Sequence, residues 1–215
     1  LVFKRRDKRS VGKILLDSVY PRGGWGRAAY YISHRLRRLP DTPRKIGRGI
    51  FAGVFTVFTP FYGLHFLIAG LLAKAMRGNI LAALLSTLVG NPLTYVPIGV
   101  ASLKLGHFLL GTRFDENVDE TLVAKFAGAA SDLKNNLIAL FTDAVPHWAR
   151  LSVFYHEVFL PYMVGGCILG IVAGLISYYA SVPVLTAYQN RRRGRLKKKL
   201  SELRASAAAK AEDRG

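Results

Sequence analysis

The sequence predicts an all-α, polytopic integral membrane protein with proline-broken or re-entrant helical hairpins behind a basic amphipathic N-terminal helix. Three observations predict it. The 215 residues carry 31 Lys and Arg against 13 Asp and Glu, yet 51% are hydrophobic and the mean hydropathy is +0.22. A soluble nucleic-acid-binding chain accounts for the charge but not the hydropathy, and a disordered basic chain would lack the aromatics. The charge is also segregated: residues 1–48 hold 14 Lys/Arg and 3 acids, residues 191–215 hold 10 and 3, and residues 49–190 hold 7 of each. Finally, residues 49–73, 80–103 and 158–190 contain no Asp, Glu, Lys or Arg, and each exceeds the roughly 20 residues a helix needs to cross a hydrocarbon core. The chain divides accordingly into a basic arm with an interfacial helix (1–44), a membrane domain (45–190) and a basic cytoplasmic tail (191–215).

In the arm, the basic run 4–9 is followed by a short amphipathic stretch and not by an apolar core, so targeting is expected from the internal hydrophobic segments. Over residues 27–39, Ala28, Tyr31, Ile32, Arg35, Leu36 and Leu39 share one side, with Arg27, His34, Arg37 and Arg38 largely on the other. That pattern predicts a basic helix lying on a membrane surface. Trp25 with Tyr20, Tyr30 and Tyr31 suits the headgroup level.

Residues 49–73 contain Thr59-Pro60-Phe61-Tyr62-Gly63, and residues 80–103 contain Gly90-Asn91-Pro92 followed by Pro97. Pro60, Gly63, Pro92 and Pro97 are expected as helix breaks, because proline removes a backbone donor and pushes the preceding residue away from helical angles. Backbone groups released there cannot face lipid, so each break must be buried in protein, lie beside water or form the tip of a re-entrant hairpin. The basic ends belong on the cytoplasmic side, and residues 114–157, with Lys125, Lys134 and Arg150 among seven acids, belong opposite. Two ends on one side require an even number of crossings. The preferred topology makes 49–73 re-entrant, with Arg44, Lys45, Arg48, Lys74 and Arg77 on one face, while 80–103 crosses outward and 158–190 returns as an uninterrupted helix. A competing topology has both broken segments crossing as kinked helices.

The connector 114–157 is polar enough to lie outside the bilayer, and helical periodicity runs from Asp119 to Phe141 before Asp143 and Pro146 close it. In the third segment Gly166, Gly170 and Gly174 form a stripe that lets another helix approach, and Gly49 and Gly53 repeat the spacing once. The approaching helix belongs either to the same chain or to a second copy. Beyond it, Arg191 to Lys199 continues helically for a distance and then fades into an Ala-rich polar tail. Arg35, Arg37, Arg38, Arg191, Arg192 and Arg193 are the expected contacts to anionic lipid headgroups, at about 1 kcal/mol per charge near the surface. Nucleic acid is the rival partner for these charges and is set aside, because cytoplasmic positive charge is what a membrane protein needs and no nucleic-acid fold is recognisable.

Enzyme chemistry has little to stand on. The chain has no GxSxG, Walker loop or GxGxxG, and its apolar segments hold no carboxylate, so neither catalysis nor a cofactor is expected. His147, His156 and Glu157 lack metal-site spacing, and Cys167 reads as a small hydrophobe. The membrane core does carry neutral polar groups near its breaks: Thr56, Thr59, Tyr62, His65, Asn79, Ser86, Thr87, Asn91, Thr94 and Tyr95. Of these, Thr59, Tyr62, His65, Asn79, Asn91 and Thr94 are candidates for a polar site at membrane depth, where interrupted helices aim their dipoles at a ligand. In the alternative, they only satisfy backbone groups freed by the prolines. Convergence on a water-accessible cavity would favour the first, and pairing in a dry interface the second.

Phe58-Thr59-Pro60-Phe61-Tyr62-Gly63-Leu64-His65, then Arg77-Gly78-Asn79, then Thr87 and Gly90-Asn91-Pro92-Leu93-Thr94 resemble the signature of a widespread bacterial membrane family described as a domain of unknown function. The resemblance covers roughly residues 25–185, and the N-terminal arm is similar to the alphaproteobacterial branch. It implies a bacterial inner-membrane protein and carries over no activity, substrate or catalytic residue. Function is thus expected to be transport-like or lipid-handling, through the polar groups at the two broken helices. The other expectation is a non-catalytic scaffold or assembly partner, in a homo-oligomer or a larger membrane complex.

Overall fold

The computed structural model describes residues 24–112, 122–142 and 145–212, and among these the chain is helical with no strand. The residues 1–23 of the basic arm, with Tyr20, and residues 113–121, 143–144 and 213–215, with Asp119 and Asp143, lie outside the described residues. The helices are α1 (Gly24–Arg37), α2 (Pro43–Val57), α3 (His65–Ala75), α4 (Ile80–Ser86), α5 (Pro92–Leu110), α6 (Leu122–Ala139), α7 (Ala149–Phe154) and α8 (Leu160–Glu212). A 3-10 turn, Thr87–Val89, prolongs α4, and a π-turn, Tyr155–Phe159, joins α7 to α8.

Local chemistry sets each boundary in the membrane domain. The Thr42 hydroxyl accepts the Lys45 N–H and Pro43 occupies the first helical position, so α2 starts there. It stops at Val57 because Thr59 precedes a proline and cannot stay helical. The chain then reverses through Phe61–Leu64, where the Leu64 N–H bonds the Phe61 carbonyl at 3.0 Å and Gly63 takes a φ of +87° that a side chain would resist. At the end of α3, the Gly78 N–H reaches the Ala73 carbonyl (2.7 Å) and the Arg77 N–H the Lys74 carbonyl (3.0 Å). Those bonds form a Schellman stop, with Arg77 and not glycine in the left-handed position (φ +52°). Arg77→Gly is therefore expected to stabilise the protein by about 1 kcal/mol, read as a higher thermal midpoint in detergent. Asn79 caps α4, and Asn91 with Thr94 forms a reciprocal capping box that opens α5 at Pro92.

Two of the expected elements differ. Pro97 was expected as a break but stands inside α5, because at the sixth helical position it releases only the Leu93 carbonyl, one turn from an end already held by the capping box. The tail does not fade after Lys199: α8 continues to Glu212, passing Pro183 on the way, since Arg, Lys, Leu, Ala and Glu are strong helix formers. Its 53 residues make a rod of about 80 Å.

Helix α2 is the hub, with α3, α4 and α8 packed around it, while α5 lies along α8. One face of α2 carries Gly49 and Gly53, where added methyls would strike the Asn79 and Ala83 carbonyls, so α4 sits backbone to backbone on it. The opposite face carries Phe51, Phe55 and Phe58, and these receive the glycine stripe of α8: Gly174 against the Phe51 ring, Gly170 against Phe55 and Gly166 against the Phe58 carbonyl. The stripe is thus covered by a helix of the same chain. Ile46, Ile50, Val54, Ala82 and Leu185 close the core at one end, and Ala52, Ala69, Ala73 and Ala83 close the α2–α3–α4 contact. Where α5 crosses α8, added methyls on Gly106 and Gly165 would strike the Pro161 and Ser102 carbonyls.

These contacts define three levels. The Asn79 N–H bonds the Lys45 carbonyl (2.9 Å), so the end of α3 returns beside the start of α2. Arg44, Lys45 and Arg48 therefore share one end of the bundle with Lys74 and Arg77, and Gln189 of α8 arrives there too, bonding the Asp41 carbonyl at 2.8 Å. The middle level holds Phe58–Leu64, Gly90–Tyr95 and the Tyr162–Gly166 stretch. The far level holds the end of α5 with α6 and α7. There the His107 Nε2–H donates to the Glu157 carbonyl (3.0 Å), a group whose helical partner four residues on is Pro161, which has no N–H to give.

By length and composition, α5 and the helical stretch Ala149–Leu203 can each cross a membrane, and among the described residues only about a fifth and a third of their most apolar stretches are buried.

Candidate functional site

The middle level assembles four aromatic side chains from three parts of the chain. Tyr62 comes from the turn after α2, His65 opens α3, Tyr95 lies in the first turn of α5 and Tyr162 in the first turn of α8. His65 is buried at 6% exposure, and its Nε2 lies 3.1 Å from the Thr59 carbonyl. A carbonyl only accepts, so Nε2 carries a proton, and in the neutral ring Nδ1 accepts from the Tyr95 hydroxyl 3.1 Å away. The Tyr62 and Tyr162 hydroxyls bond each other at 2.9 Å. The rings pack as closely: Tyr62 stands edge-on to His65, Tyr95 and Tyr162 with centroids 5.5, 5.2 and 6.3 Å away, and His65 stacks with Tyr95 at 5.7 Å. Thr59 lies beneath, its hydroxyl bonded to the Thr56 carbonyl (2.7 Å). Tyr162 is 5% exposed and Tyr62 45%, so the cluster is closed on the α8 side and open at Tyr62, next to exposed Gly63 and Leu64.

The remaining candidates lie elsewhere. Asn91 and Thr94 are near this level but turned to their own backbone: Asn91 Oδ1 accepts from Leu93 and Thr94 N–H groups, and the Thr94 hydroxyl accepts from the Asn91 N–H (2.9 Å) and donates to the Val89 carbonyl (2.8 Å). Asn79 is at the basic end. Its Oδ1 accepts from the Ala82 N–H (2.7 Å) and its Nδ2 donates to Asp41 Oδ2 (2.6 Å), whose other oxygen lies 3.6 Å from Lys45 Nζ. Asn79→Ala removes both the cap and the tie to Asp41. It is expected to cost about 2 kcal/mol in a detergent unfolding titration, and Asn79→Asp, which faces a second carboxylate, is expected not to restore it.

The proposed headgroup arginines separate into two places. Arg35 and Arg38 stand on the rim of a groove of about 690 Å³ between α1 and the α3–α4 pair. Arg37, Arg192 and Arg193 surround a smaller cleft of about 290 Å³ beside Asp41 and Gln189, and Arg191 is exposed on α8. The Glu157 carboxylate pairs with Lys125 Nζ (2.6 Å), His156 Nδ1 with the Ser152 carbonyl (2.9 Å), and His147 bonds Asn136 through its backbone. Among the described residues no three His, Cys, Asp or Glu converge as metal ligands. Among the described residues the buried Arg48 Nε and Ser102 Oγ have no hydrogen-bond partner; they sit beside the close approaches at Gly78 and Gly165, where backbones leave little room for one.

Tyr162, Asp41, Gln189 and His107 escape a reading of the sequence. Tyr162 sits in an apolar run, and its partner is 100 residues away; only the antiparallel return of α8 brings the two together. His107 had a local signal, Gly111 and Thr112 just after it at the expected helix end, but no local signal for its partner at Glu157.

No curated protein and no solved structure matches the chain. Residues 26–194 match the model of the family described as "Uncharacterized protein conserved in bacteria (DUF2062)", a span that takes in the hairpin tip, the Arg77–Asn79 turn, the α5 cap and the glycine stripe, and the chain belongs to that family.

Proposed function

We propose that the chain is a polytopic protein of the bacterial inner membrane that handles lipid without covalent chemistry, with α2 and α3 as a re-entrant hairpin, α4–α5 crossing outward, α8 returning and both termini cytoplasmic. The distribution of surfaces supports the embedding. Phe66, Leu67, Leu71, Leu93, Val96 and Ile176 are exposed, while Thr56, Thr59, His65, Ser86, Thr87 and Ser102 are buried, which reverses the usual order of a water-soluble core. Basic residues at both ends of the α2–α3 pair support placing that end in the cytoplasm.

The observation that carries lipid handling is the opening of the aromatic cluster at Tyr62. Tyr62 is exposed, as are its chain neighbours Leu64 and Phe66 and, in the turn of α5 that carries its ring contact Tyr95, Leu93 and Val96, so what reaches Tyr62 arrives past apolar side chains, as an amphipathic molecule does. A water-borne solute needs a polar path instead, and the polar side chains that would line one are already bonded within the protein. The same pairing favours the second reading, a scaffold or accessory partner of a larger membrane complex, in which the breaks serve packing alone.

Two measurements test this. In a Cys167→Ser background, cysteines at Lys74 and Ser201 are expected to label from the cytoplasm and one at Ser131 from outside; external labelling at Lys74 would replace the re-entrant hairpin by a spanning one. In vesicles containing a fluorescent phospholipid, the protein is expected to speed transbilayer movement, with Tyr62→Ala slower several-fold. Movement no faster than in protein-free vesicles leaves the scaffold reading.

A further inference from the structure

The groove at the basic end has the two halves of an amphipathic ligand site. Its floor is one face of α4 and the 3-10 turn that prolongs it: Leu81, Leu84, Leu85 and Leu88 follow the i, i+3, i+4, i+7 spacing, and Leu81 and Leu88 are 59% and 45% exposed. Those seven steps make about 10 Å of apolar surface running from the basic end toward the hairpin tip. Phe66, next to the buried His65, forms the far wall.

The rim is cationic. Tyr31 accepts a hydrogen bond from Arg35 Nε at 2.9 Å, and the guanidinium lies 5.4 Å from the centroid of the same ring. That contact orients the group and leaves its two terminal nitrogens to make a fork. Arg38 is exposed one turn further on, and among the described residues no carboxylate pairs with either arginine. Helix α1, which carries Arg35 and ends just before Arg38, roofs the groove and is tied to the bundle by Leu36 on the core and by its contact with α8.

We propose that this groove holds one anionic glycerophospholipid, its phosphate between Arg35 and Arg38 and an acyl chain along the leucine face of α4. The occupant follows from charge and shape together. A free phosphate has no use for 10 Å of leucine, and a neutral lipid has none for two guanidiniums that no described carboxylate neutralises. The volume of about 690 Å³ falls within the roughly 300–1,000 Å³ of small-molecule sites. The orientation is that of a cytoplasmic-leaflet lipid, headgroup at the basic end and chain toward the tip, so the proposal rests on the embedding argued above.

The test uses the full-length protein in detergent, titrated with short-chain phosphatidylglycerol or phosphatidylcholine and followed by native mass spectrometry. One phosphatidylglycerol is expected to be retained in preference to phosphatidylcholine. Arg35→Gln with Arg38→Gln is expected to weaken retention about thirtyfold, from about 1 kcal/mol per charge. Leu84→Trp is expected to weaken it with both arginines intact, by filling the floor, while Arg191→Gln with Arg192→Gln and Arg193→Gln stays near wild type.

Equal losses in the two arginine sets would replace the site by diffuse attraction. An unaffected Leu84→Trp protein, or displacement by millimolar inorganic phosphate, would make it a simple anion contact. Failure of the embedding is seen separately, as release of the protein from membranes by an alkaline wash, and failure of lipid movement leaves the retention result standing.

Discussion

Placing a methyl group on Gly106 is expected to cost about 3 kcal/mol, the upper end of what overpacking in a tight core incurs. The added carbon would land on the Pro161 carbonyl, and the nearest atoms are all backbone, so no side chain can rotate away and α8 itself must move. Gly165→Ala on the facing helix strikes the Ser102 carbonyl and the Gly106 nitrogen and is expected to cost as much. The two share one crossing, so the double variant is expected to lose less than the sum. Gly170→Ala meets Phe55 at 3.0–3.1 Å and should cost about 1 kcal/mol. Gly194→Ala has nothing within 4 Å and is expected to gain up to about 1 kcal/mol from helix propensity. Thermal unfolding of the purified proteins ranks the four. A stripe used between copies would instead change the oligomer and leave the monomer's stability alone.

His65→Ala is expected to be the most damaging change in the aromatic cluster, at about 3 kcal/mol. It opens a cavity in a buried site and strips the Thr59 carbonyl and the Tyr95 hydroxyl of their partner. Tyr95→Phe removes one bond and should cost about 1 kcal/mol, in line with the roughly 0.6–1.7 kcal/mol of interhelical hydrogen bonds in membranes. Because Tyr95 reaches only one nitrogen of His65, the double-mutant cycle is expected to give a coupling of about 1 kcal/mol. A coupling near zero would mean that the ring stack and not the hydrogen bond holds α3 to α5.

The signature residues around the breaks owe their legibility to local chemistry. Thr59-Pro60, Gly63 and Asn91-Pro92 each act on their own backbone within a few residues, and their effects follow from the spacing alone. Pro97 shows where such reasoning stops. The same ring that ends a helix at residue 60 is absorbed at residue 97, because a capped turn precedes it. In the polar set, His65 and Tyr62 meet Tyr95 and Tyr162, whereas Asn79 turns to Asp41 and Asn91 to its own turn, a division that membrane depth does not predict.

What the sequence by itself determined is the helical class, the segregation of charge to the two ends, the positions of the breaks at Pro60 and Pro92 and the family. Each is a property of composition or of contacts within one or two turns. Only the tertiary structure decided which helix fills the glycine stripe, that Lys74 and Arg77 return beside Arg44 and Lys45, and that Tyr162 closes a cluster begun at Tyr62. Those outcomes depend on pairings across 100 residues and more, such as Tyr62 with Tyr162 and Phe51 with Gly174. Such pairings are selected by the shape of whole helix faces, and no short stretch of sequence contains them.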